Sequence, residues 1–162
     1  MELSIGMGGT AGRAAAQIED EAKFVQAAES LGVDYAWSAE AWGRDAVTPI
    51  AYMAAVTQRI KLGTGIMQVT ARAPVMTAMT ALSLSAMTKG RFILGLGVSG
   101  PQVVEGLHGV PFQPALTRLR ETIEIVRKAQ NGEKIEFQGR CYELPRPGGE
   151  GKALRLDHAP NP

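Results

Sequence analysis

The sequence predicts an α/β fold of the (β/α)8, TIM-barrel type, truncated to about its first four βα units and followed by a β-hairpin. Three observations carry this. Short apolar runs alternate four times with longer periodic ones, which implies parallel strands joined by right-handed crossovers. The strand starts fall near residues 3, 35, 60 and 91, and a spacing of about 30 residues suits one unit of an eight-unit barrel. After residue 132 the alternation stops. The 162 residues thus divide into a half barrel over 1–132 and a hairpin with an irregular tail over 133–162.

Each element has its own signal. Leu3 to Met7 is a short apolar strand that stops at Gly8-Gly9. A helix follows over about 16–31, where Ile18, Ala22, Val25 and Ala28 keep 3–4 spacing. Phe24 and Leu31 are expected to widen that stripe, and Gly32 to end the helix. Tyr35-Ala-Trp37 opens the second strand, which ends near Ala39-Glu40, and Trp37 reads as core. Pro49 suits a first helical turn, and Ile50 to Gln58 reads as helix. Ile60 to Met67 is the third strand, Pro74 opens a third helix to about Met87, and Arg91 to Gly97 is the fourth strand. Leu116, Leu119, Ile123 and Val126 mark a fourth helix, closed by Asn131-Gly132. Ile135–Phe137 and Tyr142–Leu144 then flank Gly139-Arg140, a two-residue hairpin turn with glycine first. The last eighteen residues hold four prolines and three glycines and read as irregular chain.

Composition narrows the function. Hydrophobic residues are 45% and charged residues 20%, the balance of a globular chain rather than a disordered one. A net charge of +1 gives no electrostatic case for nucleic acid or an anionic membrane. No segment has the ~18 apolar residues a membrane span needs, and the N-terminal apolar stretch is too short for a signal peptide. The single cysteine, Cys141, suits a reducing compartment, so a cytoplasmic location is expected. His108 has no histidine or cysteine at metal spacing, and no metal site is expected.

Gly95-Leu-Gly97-Val-Ser-Gly100 fits the dinucleotide-binding pattern G-x-G-x-x-G, and an NAD-binding Rossmann turn is the alternative it raises. That turn needs a sustained helix directly after the glycines. Here Pro101 follows, and the long helix starts about fifteen residues too late. The better reading puts Gly95 and Gly97 on a barrel strand, where small residues let a ligand or neighbouring backbone come close. Val98-Ser-Gly100 then forms the loop at the strand's C-terminal end, where such barrels keep their active sites. The other strands also end in glycine or acid: Gly6 to Gly9, Gly63-Thr-Gly65, and Ser38-Ala-Glu40. Glycine-lined strand ends with few polar groups suit a flat ring.

The segments 60-IKLGTGIM-67, 74-PVMTAMTALSLSAMTKGRFILGLGVSG-100 and 106-GLHGVPFQPALTRLRETIEIVRKA-129 together resemble the bacterial-luciferase-like superfamily. The similarity is strongest to the branch that uses the deazaflavin coenzyme F420; its relatives use FMN. The resemblance implies an oxidoreductase, monooxygenase-like, that transfers hydride from reduced F420 or flavin to a small organic substrate. Family members are barrels of about twice this length, so four units alone are expected to be inactive. The family carries a non-proline cis peptide at the end of strand three, which maps to Gly65-Ile66 and presses on the cofactor ring. It assigns Glu40 to a polar position near ring or substrate, as an acid or hydrogen-bond donor, against the plainer reading of a solvated loop carboxylate. It places Gly6, Gly65, Ile66, Val98, Ser99, Gly100 and Gln102 beside the cofactor, although a serine in a glycine turn is equally a turn former. Trp42 would wall the substrate pocket. The helices near 49–58 and 74–88 would form a homodimer. The latter, the third helix of the chain, is almost uncharged around its circumference, where an outer barrel helix should show a polar face. The remaining alternative is a non-catalytic half-barrel module held in an oligomer.

Overall fold

A computed structural model describes residues 1–8 and 18–157; the expected helix positions 16 and 17, Gly9 and the tail beyond 157 lie outside them. In chain order the elements are β1 (Ser4–Met7), α1 (Ile18–Ser30), β2 (Tyr35–Ser38), α2 (Val47–Val56), β3 (Lys61–Thr64), β4 (Met67–Gln68), α3 (Pro74–Met87), β5 (Phe92–Ile93), β6 (Leu96–Gly97), α4 (Pro101–Val104), α5 (Ala115–Gln130), β7 (Phe137–Gln138) and β8 (Glu143–Leu144). They group into two compact units, Met1–Met67 with Ser83–Leu96, and Gln68–Leu82 with Gly97–Pro162.

In the first unit four parallel strands lie in chain order, β1-β2-β3-β5, as the βα spacing predicts. The register aligns Ile5, Ala36, Leu62 and Phe92 in one row. That row faces the helices and joins Ala22, Val25, Ile50, Met53, Ala54 and Leu84 in the core. The next row, Gly6, Trp37, Gly63 and Ile93, points the other way because successive side chains alternate across a strand. Trp37 is therefore half-buried rather than core. Its ring stacks on Tyr35 at 5.8 Å between centroids and 10° between planes. The ring lies across Gly63, where a Cβ would fall on it.

Two side chains bind the loops opposite the candidate site. The Glu29 carboxylate accepts the backbone N–H groups of Gln58, Arg59 and Ile60. Burial pushes its pKa up, but those three donors and the nearby Arg91 charge outweigh it, and the group sits below the ordinary carboxylate value. Arg91 donates to the carbonyls of Thr88, Thr57 and Ile60.

Several expectations are corrected in detail. The third strand is two pieces, β3 and β4, separated at Gly65-Ile66, and the fourth is likewise β5 and β6. The second helix spans Val47–Val56, and its start at Val47 is held by Asp45, whose Oδ1 accepts from the N–H of Val47 and Thr48 at 2.8 and 2.7 Å. Phe24 and Leu31 are 53% and 83% exposed and do not join the α1 stripe. Phe24 lies about 100° round the helix from Val25, and Leu31 falls past its last residue, Ser30.

In the second unit α5 buries Val126, as its spacing predicts, with Glu121, Thr122, Ile125 and Ala129, while Leu119 and Ile123 are half-buried and Leu116 stays 75% exposed, so the buried face is shifted from the one expected. The hairpin forms, pairing Phe137 with Leu144 and Gln138 with Glu143. Its turn centres on Arg140-Cys141, one residue later than expected, because Gly139 donates to the Tyr142 carbonyl at 2.8 Å. Glu121 dictates this, accepting from the N–H groups of Arg140, Cys141 and Tyr142. Residues 145–157 carry no helix or strand, and the chain ties back where Ile135 donates to the Leu154 carbonyl at 2.8 Å.

Candidate active site

In the first unit the C-terminal ends of β2 and β3 bring predicted residues together. The N–H of Gly65 donates to the Ser38 carbonyl at 2.7 Å, and that of Glu40 to the Ile66 carbonyl at 3.2 Å. Glu40, Gly65 and Ile66 thus share one pair of neighbouring strand ends. The Gly65-Ile66 peptide is cis. Glu40 is 9% exposed, which sets it apart from a solvated loop carboxylate. Its Oε1 accepts from the Ala46 N–H at 3.4 Å and folds the 40–46 loop over itself.

The glycines here leave room. Gly6 and Gly65 are exposed. A Cβ at Gly6 would meet nothing within 4 Å, and one at Gly65 would make only an ordinary 3.6 Å contact with Trp37 Cβ. The backbone is therefore open to close approach at both positions. Trp42 is 76% exposed on the same loop as Glu40.

Gly95 has a different task. A Cβ there would fall on the backbone carbonyl of Thr64. Its N–H donates to Thr64 Oγ1 at 2.9 Å, and its carbonyl accepts from that hydroxyl at 2.8 Å. The glycine serves close approach of neighbouring strands.

In the second unit Val98, Ser99 and Gly100 are half-buried and Gln102 is exposed. Ser99 has φ +59°, a left-handed conformation uncommon for a non-glycine residue, and such outliers cluster at functional loops. The helix after Gly100, α4, has four residues, and the long helix waits until Ala115. The stretch after the glycines lacks the sustained helix on which a Rossmann turn seats a pyrophosphate. Val98 lines a cavity of about 320 Å³ with Phe112, Pro114 and Leu116. Burial, then the nearby Glu121 charge, pushes the Cys141 thiol above its ordinary value, so it is a poor nucleophile. Among the described residues no three His, Cys, Asp or Glu side chains gather as a metal site, and no helix is long and apolar enough to cross a membrane.

One pair escaped the sequence reading. Arg44, four residues past Glu40, contacts Glu21 of α1 at 2.6 Å. No local pattern marks two residues 23 apart as partners; only the packing of α1 beside the 40–46 loop unites them.

A parallel βα sheet with its strands in chain order defines the class: an α/β fold of the TIM-barrel type. Residues 3–159 match the luciferase-like monooxygenase family, and the chain belongs to it. It is 49% identical over 142 residues to the Mycobacterium tuberculosis protein called "Putative coenzyme F420-dependent oxidoreductase Rv3520c", covering 85% of this chain and 41% of that one. It is 32% identical over 139 residues to the F420-dependent glucose-6-phosphate dehydrogenase of Amycolatopsis mediterranei, covering 77% and 41%. Among solved structures, the monooxygenase RslO1 of Streptomyces bottropensis superposes with a TM-score of 0.81 at 23% identity, over 93% of this chain and 51% of that one. The FMN complex of the oxygenating constituent of 3,6-diketocamphane monooxygenase from Pseudomonas putida gives 0.79 at 24% identity, over 89% and 43%. At such identities the structures show the shared fold. The chain spans about two fifths of the length of these curated relatives.

Proposed function

We propose that the chain is the ring-binding half of an oxidoreductase that transfers hydride between reduced F420, or FMN, and a small organic substrate. The observation that carries this is the backbone bond from Glu40 to Ile66. It fixes the backbone of a buried glutamate next to Gly65-Ile66, at the strand ends that also carry the open Gly6. The reduced ring supplies the hydride when bound. Gly6, Gly65 and Ile66 present backbone to one face of it, and Glu40 holds or delivers a proton at the substrate. Trp42 walls the substrate side. The resemblance, together with the left-handed Ser99, supports Val98, Ser99, Gly100 and Gln102 as further cofactor contacts. Relatives using each coenzyme support both choices.

Barrels of this type build phosphate sites after strands seven and eight. The four units therefore bind the ring weakly and turn over nothing by themselves. In a complete eight-unit barrel carrying these residues, Glu40→Gln should lower kcat by roughly 100-fold while moving cofactor affinity little. Equal kcat in the variant would return Glu40 to a structural role in its loop.

The same proposal includes a homodimer through α2 and α3. Met76, Met79 and Met87 of α3 are 50%, 45% and 51% exposed, and Tyr52 of α2 is 41% exposed. Apolar side chains at such spacing on one helix suit a partner surface. Met79→Lys should shift sedimentation to the smaller species. A second reading, a non-catalytic half barrel persisting as an oligomer, is favoured by the edge positions of β1 and β5, which invite strand pairing. An oligomer that survives Met79→Lys would support that reading instead.

A further inference from the structure

We propose that Arg44 is an anion anchor, taking a carboxylate or phosphate of the ligand that binds beside Glu40. This rests on the reading of the strand ends as the binding face. The guanidinium lies against Gly8 at the end of β1: a Cβ there would be 2.7 Å from Nη2, 3.3 Å from Cζ and 3.4 Å from Nε. Gly8 has φ +85°, a conformation that calls for glycine. Behind the guanidinium stands Glu21, whose Oε1 takes Nη2 at 2.6 Å.

The pair is asymmetric. The Glu21 side chain is 11% exposed and the Arg44 side chain 39%. The acid holds from behind, and the cation looks outward. Among the described residues Glu21 is the recorded partner of Arg44, leaving most of its five N–H donors for another oxygen pair. The loop that carries it is tied at its end, where Glu40 accepts from Ala46 and Asp45 accepts from Val47 and Thr48. Little side-chain or loop entropy then remains to be lost on binding. A planar fork held this way matches the two oxygens of a carboxylate or phosphate.

The test is a 15N NMR titration of the 162-residue chain with inorganic phosphate at constant ionic strength, following the Gly8 amide and the Trp42 indole N–H. Arg44→Gln should weaken phosphate binding roughly tenfold, with Arg44→Lys between. Glu21→Gln, which removes the competing carboxylate and keeps the shape, should tighten it several-fold. Opposite shifts in the Arg44 and Glu21 variants support an anchor. Weakening in both, or no saturable phosphate response in the unaltered chain, overturns it, because a mere clasp would lose structure either way. Competition by FMN or F420 would assign the anion to the cofactor, and its absence to the substrate. If neither cofactor binds while the opposite shifts persist, the hydride-transfer reading fails and the anchor stands.

Discussion

Gly95→Ala is expected to cost about 3 kcal/mol or more of folding free energy, a large fraction of the stability of a marginal domain. The methyl group would meet the carbonyl oxygen of Thr64, a backbone atom. A flexible side chain could turn away; a strand in a parallel sheet cannot move without breaking its ladder. The same displacement would break the paired bonds between Gly95 and the Thr64 hydroxyl and the 2.8 Å bond from Met67 to the Gly95 carbonyl. Urea unfolding followed by circular dichroism measures the loss. Gly6→Ala is the control, since its methyl group meets open space, and should change stability by less than about 1 kcal/mol. Equal midpoints for the two variants would contradict the proposed tight crossing.

Glu121→Ala should release the hairpin at a cost of about 3 kcal/mol. Glu121 is 7% exposed. Its Oε1 accepts from Arg140 at 2.8 Å, and its Oε2 from Cys141 at 2.9 Å and Tyr142 at 3.0 Å. Alanine would leave three backbone donors without their acceptor, a larger loss than that of three solvated bonds. Hydrogen exchange should show the amides of 140–142 losing protection. Glu121→Gln, with one acceptor oxygen left, should fall between. Unchanged protection at all three amides in Glu121→Ala would mean that the strand pairing alone sets the turn.

The architecture was legible because it rests on periodicity. Strand alternation, glycine helix stops and the 3–4 spacing of Ala22, Val25 and Ala28 are local signals, and chain-order pairing follows from parallel crossovers. Helix phase was less legible where apolar residues were plentiful. Leu116 belongs to an apolar sequence pattern, yet α5 turns Glu121 inward because the hairpin offers that carboxylate three donors. The hairpin turn slipped by one residue for the same reason: a distant side chain, and not the glycine, chose its centre. At the site, Glu40 and Gly65-Ile66 were reached through resemblance, and their adjacency came from strand register. Arg44 and Glu21 were invisible, since neither residue type nor spacing predicts a contact across α1 and the loop after β2.

The most direct test of the ring site is a 15N chemical-shift map of the 162-residue chain with FMN and, separately, F420 at millimolar concentration. Saturable shifts of weak affinity are expected at the amides of Gly6, Glu40, Gly65 and Ile66. Gly65→Ala, whose methyl group the fold accommodates, should abolish these shifts while the remaining spectrum is kept. Saturable shifts that spare Glu40, Gly65 and Ile66, or that survive Gly65→Ala unchanged, would contradict the placement of the ring at the ends of β2 and β3.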